Sequence, residues 1–412
     1  MTPPPDPHTR AAEPAAPTDT QAGPWVFYAF GCQYPAGLIE GRLAYGSMRR
    51  LADRLEGAPP GSPDARATVV SLGDLVYVDA TAGLFDPYAI GDRYATPYAR
   101  LEESRDYVRM REAVSGRFFA LPDDHEFDEG WEPLAGDAGN RAMLARGRQA
   151  LHGHLHGASR DLSSRDALAP LSDEPPCWPL DTRTGREGRD HRSVATAQLI
   201  TRAQRDALAA WLCGQQRGHG GRPKFVLGPA LAFPRRSASV YGGPAAALRS
   251  DGWDGYPASL AWLLSLLARE RIDNVVLVSG DEHLPFVSGA VLAARGQAPV
   301  RVFAVHCPPM HAPYPFANAR REDFAVRERF RVPPDVPAAA SVRCVVAGTR
   351  FADVREGFVR IETGRDRSDP SGWRVEVHFV DGWNYEPDES SAHAARRARR
   401  DGGPLRLPLA RR

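Results

Sequence analysis

The chain is expected to fold as an α/β protein in which two packed, mixed β-sheets are flanked by helices. Three observations predict this. The first half of the 412 residues alternates short β-branched runs with helical patterns, in a βαβαβ order. The second half is rich in apolar, alternating, strand-like runs. No clean linker interrupts the middle of the chain, so one domain is expected over residues 24–383.

The elements follow in order. Residues 1–23 are rich in Pro, Ala and Thr, the composition of a disordered segment. A strand is expected at 25–30 and a helix at 47–56. The run ATVVSL at 67–72 is β-branched and stops at Gly73, as a buried strand does. A polar, aromatic-rich loop is expected at 79–98. A helix at 99–115, a short strand at 117–121, an acidic loop and a helix at 138–152 come next. The segment TRAQRDALAAWLC at 201–213 reads as a helix with Thr201 as its N-cap. KFVLG at 224–228 is a strand, and a helix at 257–271 leads into a strand at 274–280. Further strands are expected at 286–293, 299–306, 343–348, 357–362 and 373–380. Residues 384–412 form a polar, Arg-rich tail, expected to be solvated or disordered.

Composition excludes several function classes. The formal net charge is +1, so no global field points to nucleic acid or an anionic membrane. Lys224 is the single lysine. The remaining basic charge is arginine, a compositional bias that takes weight from the Arg-rich tail as a nucleic-acid signal. The five cysteines (Cys32, Cys177, Cys213, Cys307 and Cys344) are odd in number and lack CxxC spacing, which argues against a disulfide framework or a zinc knuckle. No apolar run of about 18 residues suggests a membrane span. The N-terminal residues carry neither an apolar h-region nor a twin-Arg start, so the expectation is a cytoplasmic chain.

Four short segments carry the chemistry. They are Gly31-Cys32, GDLVYVD at 73–79, DDHEFDEGW at 123–131 and SGDEH at 279–283. Each places Asp, His, Cys or Tyr just past the end of an expected buried strand. Loops at strand carboxyl ends converge on one crevice in open-sheet α/β architectures. Carboxylates, imidazoles, a thiol and a phenol gathered there predict a metal site, with Cys or Tyr suited to trivalent iron. A Gly-Asp pair alone is a common turn or helix cap. Asp-Asp-His-Glu is harder to read that way, because adjacent ionisable groups repel unless solvated, capped or bound to cations.

These four segments, in this order, resemble the calcineurin-like metallophosphoesterases, and among them the PhoD-like alkaline phosphatases. In that branch an early Cys is followed by GDxxYxD, DDHE and SGDxH. Here those positions are Cys32, then Asp74, Tyr77 and Asp79, then Asp123, Asp124, His125 and Glu126, then Asp281 and His283. LDTRTGR at 180–186, SDGWDGYP at 250–257 and PYPFANA at 313–319 also resemble the branch, which spans about residues 25–380.

The resemblance implies an α/β/β/α sandwich and a phosphoesterase acting on phosphate mono- or diesters through a metal-activated water. It implies two or more metal ions, Fe3+ with a divalent cation such as Ca2+, Mn2+ or Zn2+. Asp74 would bridge two metals. Cys32, Tyr77 and Asp281 would resemble ferric ligands, Asp124 a metal ligand, and His283 a metal ligand or phosphate contact. His125 would protonate the leaving oxygen, and Arg183 would clamp the phosphate. The implied partner is a phosphorylated small molecule or diester.

One departure stands out. The expected pattern is DDHExxDN, and Gly130 stands where its Asn falls, so a divalent-cation ligand is in question, with Asn140 or Glu129 as substitutes. That departure keeps open a catalytically impaired member that binds a phosphorylated ligand. A hydrolase acting on another bond with the same metals is a third class. Other signals are read as structural. His152, His154 and His156 (HGHLHG) are expected at the surface, where Gly153 and Gly157 end a helix. His306 and His311 are open between the crevice and the core.

Overall fold

The computed structural model describes residues 24–35, 44–79, 92–133, 137–155, 169–242, 244–312, 319–332, 341–369 and 371–410. The expected disordered segment 1–23, most of the 79–98 loop and all but the last residue of PYPFANA lie outside them.

β1 (Trp25–Gln33) is buried from Val26 onward. α1 (Gly46–Glu56) turns Met48, Leu51, Ala52 and Leu55 inward. β2 (Thr68–Ser71) is followed by α2 (Ala95–Glu103), α3 (Arg105–Val114) and β3 (Phe118–Ala120). α4 (Ala138–Leu155), β4 (Ser172–Asp173) and β5 (Pro176–Pro179) lead to α5 (Arg202–His219) and β6 (Lys224–Leu227). The short α6 (Ser237–Tyr241) and the apolar α7 (Pro257–Arg269) precede β7 (Val275–Ser279). The strand-rich half comprises β8 (Phe286–Ala293), β9 (Val300–His306), β10 (Pro309–His311), β11 (Glu328–Val332), β12 (Val342–Phe351), β13 (Gly357–Arg365) and β14 (Trp373–Asp381). α8 (Ser391–Asp401) and β15 (Leu405–Arg406) close the chain.

Two mixed sheets result. The first runs β15-β14-β13-β1-β2-β3, with β10 beside the end of β1, and the second runs β11-β12-β8-β9-β7-β6-β5-β4. β1, β2 and β3 are parallel, with Phe30 beside Ser71 and Ser71 beside Ala120, so their carboxyl ends share one edge. In the second sheet β5, β6, β7 and β9 are parallel. Phe27, Ala29 and Val70 of the first sheet meet Phe225, Leu227 and Val276 of the second in one apolar layer. α1 and α3 cover the outer face of the first sheet, and α5 and α7 that of the second. This is the expected α/β/β/α order. No described helix is long and apolar enough to cross a membrane.

Three expectations are corrected. The helix expected at 99–115 is two helices. Ser104 is extended (φ −70°, ψ 112°) and its side chain accepts from Tyr107 N, so a cap interrupts the run. The helix also starts at Ala95, inside the expected loop. His154 is not a surface residue: Gly153 does not end α4, and the His154 side chain is 2% exposed, its Nε2 2.9 Å from Tyr107 Oη. His156 lies outside the described residues.

The third correction is the tail, which folds. Arg50 forks onto Asp401 of α8 at 2.9 and 2.8 Å, and β15 pairs antiparallel with β14. Ala410 N donates to Asn274 Oδ1 (2.8 Å), so the end of the chain straps one sheet to the other. Arginine density alone hides this, because the anchors are long-range ion pairs and two short strand residues.

Lys224 heads β6 and is fully buried. Its Nζ donates to the carbonyls of Gly220 (3.0 Å), Arg222 (2.9 Å) and Asp273 (3.0 Å). Lys224→Met keeps the stem but strands three acceptors, and should cost about 2–3 kcal/mol of stability. A lowered urea midpoint checks this; an unchanged midpoint refutes it.

Candidate metal centre and active site

The three parallel strands of the first sheet and β7 of the second deliver the four motif segments to one place. Cys32 N donates to Gly73 O (3.1 Å) and Gln33 N to Asp74 O (2.8 Å), lacing the first segment to the second. Val78 N donates to His125 O (3.0 Å), lacing the second to the third. Gly31 and Gly280 meet backbone to backbone: a Cβ on Gly31 would lie 3.3 Å from Gly280 Cα. Gly73 has φ +104°, and a Cβ there would fall 2.4 Å from Asp123 Cβ, so only glycine permits this approach. Among the described residues eight non-glycines have positive φ, and Cys32, Asp74, Asp281 and His283 are four of them. Such conformers cost about 1–3 kcal/mol each and gather where function requires them.

The side chains then converge. Asp74, Asp123, Asp124 and Asp281 each offer an oxygen within 4.8 Å of the others, and Asp74, Asp124 and His125 form a second group by the same measure. Cys32 Sγ lies 3.3 Å from Asp74 Oδ2. The Tyr77 ring stacks obliquely on His125 with centroids 4.0 Å apart. His125 Nδ1 is 2.9 Å from both Asp79 oxygens, and its Nε2 is 3.3 Å from Glu129 Oε2. His283 is buried but belongs to none of the described ligand groups. Arg183 is 1% exposed and its Nε donates to Asp123 Oδ1 at 2.6 Å, so it sits beneath the carboxylates rather than open to the crevice.

The remaining candidates, Glu129 excepted, fall outside the centre. Gly130 (φ +61°) supplies no side chain; its N–H donates to Asp124 Oδ2 at 2.7 Å. Of its two substitutes, Glu129 reaches the His125 group, while Asn140 Nδ2 donates to Glu132 O at 3.0 Å. His306 is core: Nε2 accepts from Glu282 N (3.2 Å), which leaves Nδ1–H for Ser279 Oγ (2.8 Å). His311 is equally buried, 3.0 Å from Glu356 Oε1.

So many buried anions disturb one another. Burial, then Asp124, Asp123 and Glu126, hold the Asp74 carboxyl well above its ordinary range against the pull of His125. Burial and then Asp123 do the same to Asp281. Asp123 is pushed up to about 7 by burial, against the Arg183 guanidinium. Burial and then Asp74 raise the Cys32 thiol, and burial and then Cys32 raise the Tyr77 phenol. Burial disfavours charge on His125, but Asp74, Asp79 and Asp124 outweigh it and raise it to about 11.

The residues fit a bound cation. Asp124 Oδ1 and Tyr77 Oη are buried without a well-formed hydrogen bond among the described residues, Asp124 Oδ1 facing the Arg183 guanidinium only at 3.5 Å and Tyr77 lying beside the Cys32 thiol. Hard oxygen donors at this density, with a thiol and a phenol beside them, are a ligand set whose charge only cations would balance.

The PhoD-like phosphatase family model matches residues 177–338. That segment is similar to the PhoD-like phosphatases. A solved structure named "Structure of PhoD" aligns at TM-score 0.51 and 16% identity, over 90% of this chain and 69% of that one, which shows a shared fold. A C-terminal domain assigned to a chitinase from Desulfitobacterium hafniense DCB-2 aligns at 11% identity over 77% of this chain and 85% of that one, with a TM-score of 0.19 that carries no weight. No curated protein matches this sequence.

Three residues matter beyond the roles the sequence suggested. Glu126 is fully buried, and its carboxylate accepts from the backbone N–H groups of Asp74, Leu75, Val76 and Asp123. Asp79 orients His125. Asp251 ties Arg183 to Arg186. Asp79 and Glu126 stand within the motifs, and Asp251 within SDGWDGYP, but nothing local distinguishes a ligand from a support.

Proposed function

We propose that this protein is a PhoD-like phosphatase, a metal-dependent phosphoesterase that cleaves phosphate mono- or diesters. The convergence of Asp74, Asp123, Asp124 and Asp281 within 4.8 Å carries this reading. Asp74, central to two ligand groups, would be shared between cations, with Asp124 and Asp281 on either side. Cys32 and Tyr77 would complete a site suited to trivalent iron, with Ca2+, Mn2+ or Zn2+ as the divalent partner. Bound cations would neutralise phosphoryl oxygens and acidify a water.

The chain's own groups do the rest. Asp79 holds the His125 ring through Nδ1, so Nε2 presents its proton outward to the leaving oxygen. Glu129, whose side chain is 80% exposed, lies beside that nitrogen and can return the proton from solvent. Asp123 and Arg183 form the buried floor beneath. His283 lines the same turn as Asp281 and is assigned to the phosphate or a cation.

Elemental analysis of the purified protein, with turnover of p-nitrophenyl phosphate and bis-p-nitrophenyl phosphate, tests the reading. Bound metal and turnover lost together on chelation are expected. Iron held by Tyr77 should give a visible charge-transfer band that disappears in Tyr77→Phe. A colourless, iron-free, active enzyme would remove iron from the account, and turnover indifferent to chelation would sink the proposal.

A further inference from the structure

Beneath the four carboxylates lies a second layer of charge. The Arg183 and Arg186 side chains are 1% and 0% exposed, and both turn toward Asp251. Arg183 Nη2 donates to one Asp251 oxygen and Arg186 Nη1 to the other. Arg183 also donates from Nε to Asp123 Oδ1 (2.6 Å) and from Nη1 to Trp131 O (3.2 Å). Arg186 Nε donates to Thr182 O (2.9 Å), and its guanidinium stands over the Tyr256 ring at 5.3 Å. The two arginines are therefore fixed from behind. Asp251 is 28% exposed and is the side of this layer that meets solvent.

A carboxylate shared by two guanidiniums occupies the position in which the same guanidiniums would hold two phosphoryl oxygens. It also removes about one unit of positive charge from directly below the cation ligands. We propose that Asp251 is a built-in anion in the Arg183–Arg186 seat, a positioning residue that strengthens the centre's hold on cations and weakens its hold on the phosphoryl group. The inference rests on reading the crevice as a metal-dependent phosphoesterase. It sets affinity rather than chemistry: the Asp251 charge offsets the field of the buried arginine pair, so product phosphate over the carboxylates is held less tightly and leaves readily.

The consequence is a change of opposite sign in two affinities, which simple loss of structure does not produce. Asp251→Asn keeps the shape and removes the charge. Calorimetric titration with Mn2+ alone should show roughly tenfold weaker binding, and titration with inorganic phosphate at saturating Mn2+ roughly tenfold tighter binding. Asp251→Glu should return both toward wild type. Arg186→Met is the mirror variant, expected to tighten Mn2+ and weaken phosphate, and it carries the test if Asp251→Asn does not fold. Both affinities falling together in each variant, or neither moving in folded protein, overturns the inference. Wild-type protein that binds neither Mn2+ nor phosphate would overturn the phosphoesterase reading instead.

Discussion

Asp74→Asn is expected to lower turnover of phosphate esters on the order of 10³-fold and to weaken metal binding at least roughly tenfold. Asp74 stands in two of the described ligand groups, and its Oδ2 faces the Cys32 thiol. The amide keeps the shape but supplies neither the charge nor a second acceptor oxygen. The metal-free fold should not suffer. Burial and the neighbouring acids hold this carboxyl far above its ordinary range, so an uncharged side chain relieves repulsion in the metal-free protein. The variant should therefore melt no lower than metal-free wild type, yet lose the rise in melting temperature that added metal produces. Wild-type metal content and turnover in Asp74→Asn would defeat the whole assignment.

Glu126→Gln should fail differently. Glu126 Oε1 accepts from Leu75 N (2.7 Å) and Val76 N (3.4 Å), and Oε2 from Asp74 N (3.1 Å) and Asp123 N (2.7 Å). A glutamine has one acceptor oxygen, so its NH2 must face two backbone donors with no exposure to water. Leaving buried donors unsatisfied costs about 1–3 kcal/mol each, so a loss of roughly 2–5 kcal/mol is expected. Because the same carboxylate joins Gly73-Asp74 to Asp123-Asp124, metal binding should weaken as well. A lower denaturant midpoint with lower metal content checks this. A wild-type midpoint would show that the four donors have other partners. Together the two variants separate a ligand from its support: Asp74→Asn loses metal without stability, and Glu126→Gln loses both.

Much of the site was legible because its signals are local. Gly73-Asp74, Asp123 to Glu126 and Gly280-Asp281 each follow a β-branched or apolar run, and a strand followed by a turn is read within about ten residues. What was not legible lies in pairings across the chain. Arg183 reads as an open clamp in sequence, yet it meets Asp123 sixty residues away and Asp251 sixty-eight away. Glu126 is one acid among several in its loop, and only its four backbone partners single it out. Ser104 splits a helix because a hydroxyl competes for a backbone N–H, an effect too small to show in hydrophobic period.

The sequence alone determined the layered α/β order, the four strand-end segments and the kinds of donor they carry, because periodicity and turn chemistry act between near neighbours. The tertiary structure decided which acids meet, which of them are buried, and which guanidinium each one faces. Those outcomes depend on distances through space, and Coulomb energies and desolvation follow that separation rather than position along the chain.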